Sequence, residues 1–296
     1  MNKLKLVLSF VFFSIPLLLL SECKSTEAIP SRPDENPVER MHMNDVNVQS
    51  LVFYNKSKAD YKLLLDKNEI SVALFLLKKG EEIPLHFHKV NKAVYIYEGK
   101  LNTLSKNKLT ELSKGDSMFI PARTVSKLSN STKEVAKVLF FFPTGYFKDL
   151  EFSSPSADIQ DTQGNQIQIL KEKDVPWENW AGKLPLNALP TPLAWKTIID
   201  NDSMVMGITK IDPGHDVDSH FHKPTQIVIF SDGEGKTHIA KGEYKEIVKD
   251  SYIYPPSYSM HHSINTNKTK PLMEVYFFPT GPFEKIKYLG KGEKYW

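Results

Sequence analysis

The sequence predicts an all-β protein made of two tandem copies of one small sandwich or barrel domain. Two observations carry this. Short apolar, β-branched runs recur between Gly and Asp turn signals, and no long stretch has helical periodicity. One long segment also occurs twice. VLFFFPTGYF at 138–147 and VYFFPTGPF at 275–283 share FFPTG at a spacing of 136 residues. GEEIPLHFHKVNKAVYIYEG at 80–99 overlies GHDVDSHFHKPTQIVIFSDG at 214–233 at a spacing of 134, with HFHK identical.

In chain order, Lys3 and Lys5 precede an apolar run from Leu6 to Leu20, interrupted by Ser9, Ser14 and Pro16. This reads as a secretory leader over residues 1–22; the run is short for a membrane span and Pro16 interrupts it. Cys23, the single cysteine, cannot form an internal disulfide and stands where a signal peptidase would cut. The polar stretch that follows, with three prolines, is expected to be a flexible tether over residues 23–48.

The first domain is expected over 49–155, with strands SVALFLL, AVYIY, SMFIP and VAKVLFFF. A Pro- and Trp-containing bridge, 156–195, packs between the halves, because its tryptophans are poor residues to leave in water. The second domain, 196–296, repeats the series as MVMGITKI, IVIF, SYIYP and LMEVYFF.

With 296 residues, 41% of them hydrophobic and 11% aromatic, the chain can bury two cores. A formal charge of +3, from 38 Lys and Arg against 35 Asp and Glu, is spread along the chain and argues against a nucleic-acid partner. His220 and His222 lie one residue apart at the head of an apolar run. In a strand, side chains two apart share a face, so both imidazoles project together while Phe221 points away. His86 and His88 repeat the arrangement. Six of the nine histidines (86, 88, 220, 222, 261, 262) fall at or beside these positions.

These residues resemble the cupin superfamily, whose small jelly-roll barrels hold a metal inside; two copies in one chain resemble a bicupin. The first family motif, Gly, His-x-His, Glu, Gly, is matched in the second half by Gly214, His220, His222, Gln226 and Gly233, every spacing kept and Gln replacing Glu. The second motif is matched by Pro256, His261 and Asn265, with Asp250 and Tyr258 at its glycine positions. The resemblance therefore implies His220, His222, His261 and Gln226 as ligands of a divalent transition metal: iron, manganese, nickel, copper or zinc. His262 competes with His261, since neighbours in a strand face opposite ways and only one can point inward. In the first half His86 and His88 keep their places, but Lys92 stands at the acidic position and Ser126 at that of the third histidine. A lysine repels a divalent cation and a hydroxyl is a poor substitute for imidazole. That site is expected to be degenerate, Lys92 holding an anion or filling the vacancy.

The sequence around Cys23, LSEC, resembles a bacterial lipobox, in which the cysteine becomes the lipidated first residue of the mature chain; Glu22 departs from the small residue usual there. The implied location is a membrane-anchored lipoprotein facing the periplasm or cell exterior, or a secreted protein without lipidation. Metal-holding cupins include dioxygenases, decarboxylases, isomerases and lyases. The leading expectation is a metal-dependent enzyme acting on a small organic, anionic or phenolic, molecule. The rival is a non-catalytic, tethered receptor for a small ligand or a metal ion. No catalytic residue and no oligomeric state follow from the sequence.

Overall fold

A computed structural model describes residues 37–105, 108–154, 167–179 and 193–290. Residues 1–36, with the expected leader, Cys23 and most of the tether, lie outside the described residues. No helix among the described residues is long and apolar enough to cross a membrane. The regular elements are antiparallel strands and short 3-10 turns.

Each half has a seven-stranded sheet facing smaller sheets. In the first half the large sheet runs, edge to edge, Gln168–Leu170, Ser117–Ile120, Lys92–Glu98, Ala136–Phe142, Ile70–Leu77, Lys58–Lys67 and Gln49–Val52. The second half repeats the middle of that order as Ser251–Tyr254, Ile227–Asp232, Leu272–Phe278, Met204–Ile211 and Leu193–Asn201. Opposite lie a four-stranded sheet in the first half, and three- and two-stranded sheets in the second. The shared order establishes the internal duplication in three dimensions. Each half is a sandwich of the jelly-roll type; among the described residues no sheet closes on itself into the expected barrel.

Alternation along the central strands separates two environments. Val138, Phe140 and Phe142 fill the first sandwich, and Leu272, Tyr276 and Phe278 the second. Leu139, Phe141, Val275 and Phe277 point the other way into a core shared by both halves. There Phe141 stacks on its own copy, Phe277, with centroids 5.0 Å apart. The repeated FF pair is thus one phenylalanine for each domain's interior and one for the contact between domains. The glycine of FFPTG has an equally definite reason. A Cβ on Gly145 would lie 1.9 Å from the Lys67 carbonyl oxygen, and one on Gly281 2.0 Å from that of Asn201. Both are close approaches that only glycine allows.

Two boundaries differ from expectation. The stretch assigned to a tether is structured in its last part: Glu39–His42 pairs with Ser251–Tyr254 of the second half, and Met43 is buried in the shared core. An edge strand with free backbone groups is thereby covered. The bridge is likewise partly ordered as edges, Gln168–Leu170 pairing with the first half and Glu178–Asn179 with the second. Its tryptophans divide: Trp195 is buried in the second sandwich, Trp177 is 42% exposed with the Lys196 ammonium 4.6 Å from its ring, and Trp180 lies outside the described residues.

Candidate metal centre

His220 and His222 sit on the short strand His220–His222, which pairs with Tyr288–Gly290. His261 arrives from the segment after Ser251–Tyr254 and is tied to His220 by reciprocal backbone hydrogen bonds of 2.9 and 3.1 Å. The three side chains are buried, and their ligand atoms lie within 4.8 Å of one another. Each Nδ1 is committed to a backbone carbonyl: His220 to Asp218 at 2.7 Å, His222 to Pro224 at 2.7 Å, His261 to Ser259 at 2.9 Å. Donation from Nδ1 fixes the tautomer and leaves the three Nε2 lone pairs to converge.

Burial holds these imidazoles neutral. Desolvation lowers His220 to about 4 and His222 to about 3, and pushes His261 well below the ordinary histidine range. His261 Nε2 is buried without a hydrogen-bond partner. Gln226 Oε1 lies 3.3 Å from His222 Nε2, two lone-pair-bearing atoms facing each other. A cation resolves both features. The donor set of neutral imidazoles and an amide oxygen suits a divalent transition metal.

His262 faces the other way: its Nε2 is 2.8 Å from Asp216 Oδ2, and its Nδ1 is 3.2 Å from the Tyr244 hydroxyl. The second-motif residues at glycine positions, Asp250 and Tyr258, both have positive φ, 70° and 61°. The backbone turn is kept there without glycine, at some strain. Asn265 and its copy Asn130 are structural, donating to the Ile211 and Leu77 carbonyls at 2.9 and 2.7 Å.

In the first half Ser126 stands opposite His86 in strand register, as His261 does opposite His220. Lys92 is buried, its Nζ 2.8 Å from His86 Nε2 and 4.6 Å from the centre of the Phe140 ring. Desolvation pushes its pKa well down. The amine thus stands against His86 Nε2, the nitrogen corresponding to the one that His220 turns toward His222 and His261 in the second half.

The second half also has polar residues that sequence reasoning missed. A cavity of about 40 Å³ is lined by His220, His261 and Gln226 together with Thr209, Ser263, Glu274, Tyr276 and Tyr288. Glu274 is 5% exposed, and desolvation raises its carboxyl to about 7 although Ser263 donates to it. Its Oε1 has no partner. The one available signal was a lone acid inside the apolar strand LMEVYFF, on the same face as Leu272 and Tyr276.

With the fold and the site in view, the comparisons with known proteins define a class. Residues 73–142 match the cupin domain family. Solved structures share the fold over nearly the whole chain. An oxalate decarboxylase from Lactobacillus farciminis, in complex with formate, has TM-score 0.61 and 13% identity, covering 85% of this chain and 88% of that one. A putative glyoxylate-induced protein from Pseudomonas aeruginosa has TM-score 0.64 and 11% identity, covering 88% and 91%. The protein Ylba from E. coli has TM-score 0.61 and 12% identity, covering 82% and 91%. No curated protein sequence matches the chain. Residues 73–142 are therefore cupin-like in sequence, the chain shares the fold of these solved structures over more than four-fifths of its length, and its second half brings together three histidines that could hold a divalent transition metal. The family match falls on the first half, whose histidine pair is blocked by Lys92.

Proposed function

We propose that the protein is an exported, metal-dependent cupin enzyme acting on a small organic anion. The metal is held by His220, His222, His261 and Gln226. The observation that carries this reading is the set of three neutral, buried imidazoles whose Nδ1 atoms are pinned and whose Nε2 atoms converge. Such a ligand set leaves an ion its full charge, which favours anionic ligands, and the ion supplies Lewis-acid or dioxygen-activating chemistry when bound. The residues around it do the rest. His–backbone hydrogen bonds hold the ligands in place, and Val217 and Val228 supply the apolar part of the cavity wall. The likeness in fold to oxalate decarboxylases supports decarboxylase or lyase chemistry on a small carboxylate, with dioxygenase chemistry as the oxidative counterpart. The expected leader and LSEC sequence support export with a lipid anchor at Cys23.

Metal analysis of the purified protein tests the first part. Wild type and His262→Ala are expected to carry one divalent transition metal, and the double variant His220→Ala, His222→Ala none. Equal metal in wild type and double variant overturns the reading. Incubation of the metal-loaded protein with oxalate and glyoxylate, recording carbon dioxide release and oxygen uptake, then separates enzyme from receptor. Binding without turnover identifies a tethered receptor. Labelling by radioactive palmitate in a bacterial host, lost in Cys23→Ala, checks the anchor.

A further inference from the structure

We propose that Glu274 is the second anchor of the ligand site, a carboxyl that donates a hydrogen bond to a small carboxylate whose other oxygen is on the metal. The inference rests on the metal-centre reading above and adds to it the ligand class and the residue that selects it.

Glu274 is buried on Leu272–Phe278, in the wall of the cavity that His220, His261 and Gln226 also line. It is not a member of the metal cluster. Ser263 satisfies one side of the carboxyl, and Oε1 is buried without a partner. An unpaired buried polar atom is costly, and a polar cavity of this kind is completed by a ligand or water. The other groups lining that cavity include Thr209, Ser263, Tyr276, Tyr288 and the imidazoles of His220 and His261, with no Lys or Arg among the described residues that line it. Burial raises the tyrosine hydroxyls of Tyr276 and Tyr288 above their usual range, so both are neutral. Among the described residues no side-chain cation lines the cavity beside Glu274, and desolvation favours its protonated form.

A protonated carboxyl is a donor. Across from it, a metal with four neutral ligands attracts an anion, and an anion on the metal offsets the pull of the ion on the Glu274 proton. One ligand type meets both contacts: a carboxylate, with one oxygen for the metal and one to accept from Glu274. Size narrows it further. About 40 Å³ is a few times the roughly 10–15 Å³ that one water occupies on this measure, room for a small ligand such as formate.

The duplication provides a control. In the first half the positions of Glu274 and Thr209 are Val138 and Phe75, paired in the same register. Phe140 stands for Tyr276 and Leu128 for Ser263, and Phe152 packs on His86 and His88 as Tyr288 packs on His220 and His222. In that half, where Lys92 stands against His86, every one of these is apolar. The fold does not need polar residues there; the second half has them where a metal-bound ligand would lie.

The test uses full-length protein loaded with cobalt(II), titrated with formate and followed by the visible absorption of the metal, in wild type, Glu274→Gln and Glu274→Leu. Metal content is measured first. All three are expected to hold one equivalent of cobalt. Gln, which also donates, is expected to keep formate affinity within about threefold, and Leu to weaken it about tenfold or more, as for loss of a charge-assisted hydrogen bond. Formate affinity unchanged in Glu274→Leu overturns the inference, as does loss of cobalt from Glu274→Gln, which would make the carboxylate a counter-charge for the ion. Absence of cobalt from wild type overturns the metal centre itself and is distinguishable from both.

Discussion

Acidifying the metal-free protein should remove a large part of its stability, and the histidines of the site set how much. Burial holds His220 at about 4 and His222 at about 3, against an ordinary value of 6.5. A folded-state pKa below the unfolded one means that the unfolded chain binds more protons as pH falls. Stability is therefore full above about 6.5 and is lost on acidification, the loss levelling off only below the folded values. At about pH 5 an unfolded histidine of pKa 6.5 gains about 2 kcal/mol from protonation while the buried one gains almost nothing. Two such residues give about 4 kcal/mol, a large share of a typical 5–15 kcal/mol. His86, His88 and His261 are shifted in the same direction and add to it. Urea unfolding of metal-free protein at about pH 7 and about pH 5 measures the difference. The double variant His220→Gln, His222→Gln is expected to lose about 4 kcal/mol of that pH dependence. The same pH dependence in variant and wild type would refute the account of these imidazoles as buried and neutral.

Two further outcomes follow from the comparison of the halves. Lys92 Nζ stands against His86 Nε2, so replacing the amine and restoring the missing imidazole, as Lys92→Gln with Ser126→His, should raise bound metal from one to two equivalents per chain, read by elemental analysis; Ser126→His alone, which leaves the amine in place, should not. Gly145→Ala and Gly281→Ala each press a Cβ to about 2 Å from a carbonyl oxygen and should each destabilise by about 2 kcal/mol or more, seen as a lower denaturant midpoint.

What the sequence made legible follows from what repeats. His220, His222 and the spacing to His261 could be read because strand period puts alternate residues on one face, and because the earlier copy marks which positions belong to the motif. The position of FFPTG could be read as well, but not its reason: the stacking of Phe141 on Phe277 and the glycine approach to a neighbouring carbonyl are contacts between distant segments. The course of Glu39–His42 onto the second half was hidden for a related cause. A short edge strand takes its order from the partner it covers, and its polar sequence carries little periodicity of its own.

Glu274 shows the limit most clearly. By strand alternation it belongs to the interior, and a lone acid among Leu, Met, Val and Tyr is an anomaly visible without coordinates. Its meaning needs three segments brought together: Thr209 beside it, Ser263 across the sandwich, and the imidazoles of His220 and His261 at the same cavity. The first half then explains why such polarity is kept. Val138, Phe140 and Leu128 show that these positions pack well with apolar side chains, and burying a carboxyl in their place costs stability. That cost in the half with three converging imidazoles, and its absence in the half with Lys92, ties Glu274 to a ligand of the metal centre and not to the fold.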